Sequence, residues 1–254
     1  ARTAGTWANG IKVEICATGT GYEQDLSTNN LVNTSTSAVG DTSIIVDDAD
    51  ASGYAFNVGD LISFYSDTSN TVAVDDFNEY QVTAINTSTN ALTIRLKDDP
   101  NGAGLQTAIP DDSKIKRRWK YYDLFETPGT SDYNTSNGRG AGDELHVVVA
   151  DADGLITGYD ADVAGNRTRA VLETFGNMSK NSSAKSPQGD SIYYPDVIFA
   201  KSQFIYWTDH IAAGSNWGTD TTTAYTAVVP TTIDTLTGGT DDYSTTAGEI
   251  ELAY

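Results

Sequence analysis

The sequence predicts a β-rich α+β fold, in which a mixed sheet with a few short helices carries an inserted small all-β sandwich or barrel. The first reason is the stretch 143–207, where residues 145–150 form the densest β-branched run of the chain and a turn at 151–154 follows at once. The second is a strand candidate at 202–207, which a short helix-like piece precedes. The third is a series of four short β segments between 38 and 115, without a convincing helix.

The first predicted element is a strand near the start of the chain. Ile11, Val13 and Ile15 alternate with other residues, which places them on one face. Cys16 ends this run and is the single cysteine, so no disulfide can form within the chain. We expect Cys16 to be a buried strand residue rather than a catalytic thiol. From 19 to 36 the composition turns to Ser, Thr and Asn, which predicts a linker.

Residues 37–115 have the composition of a separate small β domain. The segments TSIIVDDA, GDLISFYSD, NEYQVTAI and ALTIRL are divided by turn clusters, and the polar tip at 86–90 predicts a hairpin between the last two. The borders are polar, Gly-rich and Pro-containing, as domain edges tend to be. We therefore predict an inserted β domain at 37–115, within a discontinuous α+β domain made of 1–36 and 116–254.

A dense basic run follows the insert. Five of the fifteen basic residues lie within the seven positions of KIKRRWK, namely Lys114, Lys116, Arg117, Arg118 and Lys120. One interpretation is a solvated strand face or linker. The other is an inter-subunit contact with the acidic surface of a neighbouring copy, because complementary patches fix the register of association. Further along the chain, WKYYDLF and AYTAVV predict two more strands.

The chain is strongly acidic, with 35 acidic against 15 basic residues and a net charge of −20. Phosphates would be repelled by such a protein, which argues against nucleic acid as a partner. The same repulsion argues against anionic membranes, and no apolar run approaches the roughly 18 residues of a membrane span. The composition therefore predicts an acidic, solvated surface and neither of these partners.

No catalytic or metal-binding constellation stands out in the sequence. His146 and His210 are isolated, and His146 lies in the middle of a predicted strand, where a structural role is the commoner one. No G-x-S-x-G elbow, phosphate-binding loop, H-E-x-x-H helix or Cys/His cluster is present. The Asp-rich turns at 47–50 and 151–153 fit turn capping better than calcium binding. We predict a protein that is not an enzyme and needs no cofactor or metal.

Seven stretches of the sequence are informative in combination. Between 143 and 217 these are DELHVVVADADGLITG, AVLETFGNMSK, SIYYPDVIFAKSQFIYW and AGSNWG; elsewhere they are RTAGTWANGIKVEI, KYYDLFETPGTS and LTGGTDD. In combination they resemble the contractile tail sheath proteins of myovirus-type bacteriophages. That family carries an L-x-G-G-x-D-G element near the end, and Asp242 stands here in place of the last glycine. Residues 33–115 do not match the family and would be a lineage-specific decoration.

The resemblance implies that the sequence is the middle portion of a sheath subunit, with the N-terminal arm and the C-terminal domain outside it. It implies a homo-oligomer of stacked six-membered rings around the tail tube protein, in contact with baseplate and neck proteins. Such rings contract and drive the tube through the host envelope for genome ejection, without consuming a nucleotide. The implied location is the virion, after assembly in the bacterial host cytoplasm.

Two other functions stay open from the residues alone. The first is a carbohydrate-binding adhesin or tail-fibre-type module, because the chain has fourteen tyrosines and four tryptophans, and exposed aromatic rings can bind sugars. Core packing is the more usual duty of such residues. The second is a secreted acidic hydrolase, for which only the composition speaks.

Overall fold

The computed structural model describes residues 1–240, except residues 4, 35, 36, 100 and 164. The described strands are β1 (Ile11–Cys16), β2 (Glu23–Leu26), β3 (Ser43–Ile45), β4 (Leu61–Tyr65), β5 (Tyr80–Asn86), β6 (Ala91–Leu96), β7 (Lys114–Arg118), β8 (Glu144–Asp151), β9 (Val171–Ser179) and β10 (Thr232–Thr235). The short α-helices are α1 (Gly19–Tyr22), α2 (Asp132–Ser136) and α3 (Tyr194–Lys201). The strands form two antiparallel sheets. The predicted β-rich α+β class is confirmed.

The first sheet has the strand order β10-β1-β8-β9. Ile11, Val13 and Ile15 of β1 pack with Leu145 and Val147 of β8 in one apolar core, as the alternation in β1 predicts. Burying an aliphatic side chain of this size stabilises a fold by about 1.5–3 kcal/mol. This core is therefore a principal support of the first sheet.

Strand β8 is covered on both of its faces. Val147 lies in the core just described, whereas Val148 packs on the opposite side with Trp119 and Cys16. A strand that is buried on both faces contains a continuous apolar run instead of an alternating one. This double burial explains the density of β-branched residues at 145–150, and Cys16 is buried as predicted.

The second sheet has the strand order β2-β7-β4-β5-β6-β3. Its core contains Leu26 of β2, Phe64 of β4 and Ile115 of β7. The polar tip at 86–90 joins β5 to β6, with Asn86 opposite Ala91. The predicted hairpin is therefore confirmed.

The second sheet extends past the predicted insert borders at 37 and 115. Strand β2 comes from the predicted linker, and β7 crosses the border at 115. The two strands pair with each other, with Leu26 opposite Ile115, and β7 also pairs with β4. Because Leu26 and Ile115 are buried in the same core as the strands of the insert, the sheet is completed by residues on either side of the predicted borders.

Residues 202–207, predicted as a strand, form a loop instead. Helix α3 ends at Lys201, and the Ser202 hydroxyl then accepts hydrogen bonds from the backbone N–H groups of Phe204 (3.2 Å) and Ile205 (3.0 Å). Such local bonds compete with strand pairing. The apolar side chains of this loop pack on the first core without joining the sheet.

Two further strand predictions are also wrong. The WKYYDLF segment forms a 3-10 turn at Tyr122–Leu124. The AYTAVV segment has no regular structure, and the strand in this region is β10, which begins at Thr232. Asp241 and Asp242 of the LTGGTDD motif lie outside the described residues.

Candidate functional site

Strand β7 directs the basic run to two sides of the second sheet. Lys114, Lys116 and Arg118 are half-buried, and the residues between them are buried. Each of these three cations is held by an oxygen atom of the same chain: Lys114 by the Asp112 carbonyl (2.7 Å), Lys116 by Glu23 (3.5 Å), and Arg118 by Glu23 (2.6 Å) and Glu79 (2.8 Å). Lys116 and Arg118 thus tie β7 to β2, whereas the bond of Lys114 is local. The contact of these cations with a neighbouring copy stays a prediction.

Arg117 points the other way and is buried. Its guanidinium donates to the carbonyl oxygens of Ala55 (2.8 Å) and Thr20 (3.1 Å) and to the Gln24 side chain (2.7 Å). The Asp60 carboxylate lies 3.6 Å away. Burial raises the pKa of Asp60 to about 6, and the Arg117 charge offsets that rise only in part. Arg117 is therefore an internal clamp.

Asp162, in the loop between β8 and β9, collects three basic side chains. Its carboxylate accepts from Lys120 (3.0 Å) and from Lys12, and its carbonyl oxygen accepts from Arg95 (2.7 Å). Burial alone would raise the pKa of Asp162, but the charges of Lys120 and Lys12 outweigh it and the pKa lies below its ordinary value. Lys12 lies in β1 of the first sheet and Arg95 in β6 of the second, so Asp162 links the two sheets.

Glu14 of β1 is a buried carboxylate beside this group. It accepts a hydrogen bond from the Trp119 indole N–H at 3.1 Å. Burial raises the pKa of Glu14, and the nearby charges of Lys120 and Lys12 oppose that rise. The Trp119 ring stacks on Phe125 with centroids 5.6 Å apart. Trp119 thus makes a polar contact through its indole N–H and an apolar contact through its ring.

We call Lys12, Glu14, Trp119, Lys120 and Asp162 the charged joint. Its members come from β1, from the segment after β7 and from the loop after β8, so it fastens one sheet to the other. Lys120 is buried like Arg117 and is withdrawn from the surface. Neither a solvated strand face nor a free surface patch describes these two residues, because burial forces their charges to find partners inside the chain.

A second ion pair fastens the same loop. The Arg167 guanidinium donates two parallel hydrogen bonds to the Asp123 carboxylate (2.6 and 2.7 Å) and a third to the Lys120 carbonyl oxygen (2.8 Å). Burial would raise the pKa of Asp123, but the Arg167 bonds outweigh it and lower that pKa. Bidentate pairs of this kind are the stronger class of ion pair.

His146 has the structural role that its position predicts. Its Nδ1 accepts from the Asn177 backbone N–H (3.0 Å), so Nε2 carries the proton and donates to the Glu126 carbonyl oxygen (2.7 Å). Burial lowers the pKa of His146. Burial also raises the pKa of the Cys16 thiol to about 12. Neither side chain is arranged as a nucleophile or a base.

His210 belongs to an aromatic cluster that the sequence analysis missed. The Trp207 indole N–H donates to the Tyr194 hydroxyl (3.2 Å), and that hydroxyl is hydrogen-bonded to His210 Nδ1 (2.6 Å). The Tyr193 hydroxyl lies 3.4 Å from His210 Nε2. The only signal in the sequence was the density of aromatic residues at 193–210, which does not reveal which side chains contact each other.

An apolar cavity of about 160 Å³ lies beside this aromatic cluster. Its lining includes Ile15, Val147, Ile198, Tyr206 and Trp217. Most of these side chains belong to the core of the first sheet. The cavity offers room for an apolar group and holds no arrangement of acid, base and nucleophile.

The Asp-rich turn after β8 is held by its own carboxylate. Asp151 accepts from the backbone N–H groups of Gly154 (3.0 Å), Ile156 (3.0 Å) and Thr157 (2.6 Å). Burial would raise the pKa of Asp151, but these hydrogen bonds outweigh it and lower that pKa. The carboxylate oxygens serve the turn, in agreement with the capping role predicted for 151–153.

The described residues contain no group of three or more His, Cys, Asp or Glu side chains placed to hold a metal ion. None of the helices in the described part of the chain is long and apolar enough to cross a membrane. No family model matches the chain, and no curated protein matches it either. The charged joint links the two sheets through side-chain hydrogen bonds among Glu14, Trp119, Lys120 and Asp162.

Proposed function

We propose that this chain is part of the structural subunit of a bacteriophage contractile tail sheath, in a virion of the myovirus type. One observation carries the proposal. The segments that resemble sheath proteins are scattered from residue 2 to residue 242, yet most of them lie in one structural unit. They include β1, β8, β9 and α3.

The contacts within that unit are direct. Strand β8 pairs with β1 on one side and with β9 on the other. Tyr194 of the YYPDVIFAK motif and Trp217 of the AGSNWG motif meet with ring centroids 6.0 Å apart. The core that these segments share supports the proposal. The decoration predicted at 33–115 lies instead mostly in the second sheet.

The proposed role is mechanical. Copies of the subunit form stacked six-membered rings around the tail tube protein and contact baseplate and neck proteins. The work of contraction comes from the free-energy difference between two packings of one protein, so no cofactor or nucleotide takes part. A subunit that transmits such displacement needs internal stiffness, and the charged joint supports this requirement by connecting the two sheets through one buried and one partly buried bond.

Labelling the particle tests the proposal. A short epitope inserted at residues 87–89, in the exposed tip of the β5–β6 hairpin, leaves both strands intact. In particles of the virus that encodes this chain, gold-conjugated antibody is expected to mark the tail cylinder at a regular axial spacing. Label confined to fibre tips, or absent from the tail, would refute the sheath assignment. Particles with the untagged chain provide the background.

A carbohydrate-binding module has one observation in its favour. Phe199 and Tyr206 are 68% and 47% exposed, and their ring centroids lie 6.2 Å apart at an angle of 31°. The Arg2 guanidinium, however, lies 4.5 Å from the Tyr206 centroid and covers that face. A sugar would have to displace this cation, which makes the second candidate the weaker one.

A further inference from the structure

Strand β9 is an edge of the first sheet. It pairs with β8 on one side, and a single bridge from Ser179 to Tyr193 is the only strand-like contact that the described residues make on the other. The remaining backbone bonds outside the β8 pairing leave from Val171, Asn177 and Ser179, at or near the two ends. Apart from their pairing with β8, residues 172–176 make no backbone hydrogen bonds with the described part of the chain. Alternate N–H and C=O groups of this stretch therefore face outward unpaired.

A groove of about 390 Å³ runs beside this edge, between β9 and helix α3. Thr174, Phe175 and Gly176 form the strand side, and Val197 and Lys201 form the helix side. Thr174 and Gly176 are exposed, so the edge is open to a second chain. Phe175 and Val197 give the groove an apolar wall.

Two charged side chains line the groove, the Lys201 ammonium and the Glu173 carboxylate. The Lys201 ammonium has no carboxylate within 4.0 Å among the described residues. The Glu173 carboxylate at the groove is already engaged by the Ser202 hydroxyl (2.6 Å) and the Gln203 N–H (2.6 Å). Asp196, in the first turn of α3, accepts a hydrogen bond from the Ser191 hydroxyl. An incoming carboxylate would thus find one cation without an ion-pair partner, beside a Glu173 carboxylate that is held by neutral donors and keeps its charge.

We propose that the β9–α3 groove binds an extended peptide strand that alternates apolar and acidic residues and adds to the first sheet beside β9. Backbone groups of the peptide pair with residues 172–176, an apolar side chain packs against Phe175 and Val197, and a carboxylate meets Lys201. Addition of a strand to an exposed edge is an established mode of peptide recognition. The proposal does not depend on the function proposed above.

The test is a binding titration on the full chain with a short acetylated and amidated peptide of alternating valine and glutamate. We expect saturable binding, and slower hydrogen exchange at alternate amides of 172–176. The same peptide with every backbone nitrogen methylated lacks all of its backbone donors and is expected not to bind. Equal binding of both peptides, no binding of the parent peptide, or unchanged exchange at 172–176 would each overturn the proposal.

A matched pair of lysine variants tests the charge. Lys201→Glu is expected to weaken peptide binding about fivefold, as for the loss of an exposed ion pair. Lys185→Glu changes the net charge equally but lies outside the groove, and it is expected to bind like the native chain. Equally weakened binding in both variants would show that Lys201 acts only through the net charge of the chain, and it would refute a role for Lys201 in the groove. A dimer in sedimentation that the peptide does not dissociate would identify a second copy as the occupant instead.

Discussion

Replacing Asp60 by asparagine is expected to remove a pH-dependent cost of folding. The Asp60 carboxylate is buried 3.6 Å from the Arg117 guanidinium and accepts from the Asn57 N–H at 2.8 Å. Burial raises its pKa from 3.8 to about 6, because these two partners compensate only part of the lost hydration. Asparagine has the same shape and carries no charge at any pH.

The sign follows from the two pKa values. Asp60 ionises near 3.8 when unfolded and near 6 when folded, so the stability contributed by its neutral form is fully present below about 3.8. That stability is lost as the pH rises through about 6. The two values differ by about 2, which corresponds to about 3 kcal/mol. We expect Asp60→Asn to match the native chain near pH 4 and to exceed its stability by about 3 kcal/mol near pH 7.

Urea unfolding at a series of pH values measures this difference directly. Asp162 and Asp123, whose pKa values are lowered, change stability in the opposite sense, but they do so in both proteins and cancel in the comparison. Asp50→Asn, at an exposed turn position, is the matched control for the loss of one carboxylate. A difference between native chain and Asp60→Asn that stays the same from pH 4 to pH 7 would refute the reasoning.

Three other changes probe the joint and the two cores. Lys120→Met should lower the free energy of unfolding by about 2 kcal/mol, less than for a fully buried pair because Asp162 keeps Lys12 and part of its hydration. Lys114→Met, the control, should lower it by under about 1 kcal/mol. Equal losses of stability in urea unfolding would contradict the role of Lys120 in the charged joint. Cys16 should resist a thiol-specific dye until the chain unfolds, because it is buried with a pKa of about 12; labelling faster than unfolding would disprove its burial. Ile115→Ala should cost about 2–5 kcal/mol, and a negligible cost would place β7 outside the second core.

The sequence predicted the elements whose burial depends on their own residues. Strand β1 alternates, β8 is continuously apolar, and the β5–β6 hairpin has a polar tip, so each pattern follows from local packing. The loop at 202–207 has equally good strand residues, but the Ser202 hydroxyl bonds the backbone three residues ahead. Strand propensity does not take account of a single side-chain hydrogen bond of this kind.

The candidate site depended on contacts that no short window of sequence contains. Trp119 meets Glu14 across 105 residues, and Lys120 meets Asp162 across 42. Composition predicted an acidic surface and a cluster of basic residues, but it could not pair them. Strand β7 decides that pairing, because its alternation sends Arg117 inward and Arg118 toward Glu23.

The net charge of −20 is carried mainly by exposed residues. Within the described part of the chain, burial withdraws four basic and five acidic residues from the surface, so that surface stays as acidic as the composition implies: Arg117, Lys120, Arg167 and Lys180 against Glu14, Asp60, Asp75, Asp143 and Asp151. Two copies would therefore repel each other, and a lattice of identical subunits would need contacts that do not rely on opposite charges. Backbone pairing of the kind proposed at the edge of β9 does not rely on opposite charges. Because salt screens repulsion between exposed charges, self-association of this chain should strengthen as salt is added, whereas pairing through a free basic patch would weaken.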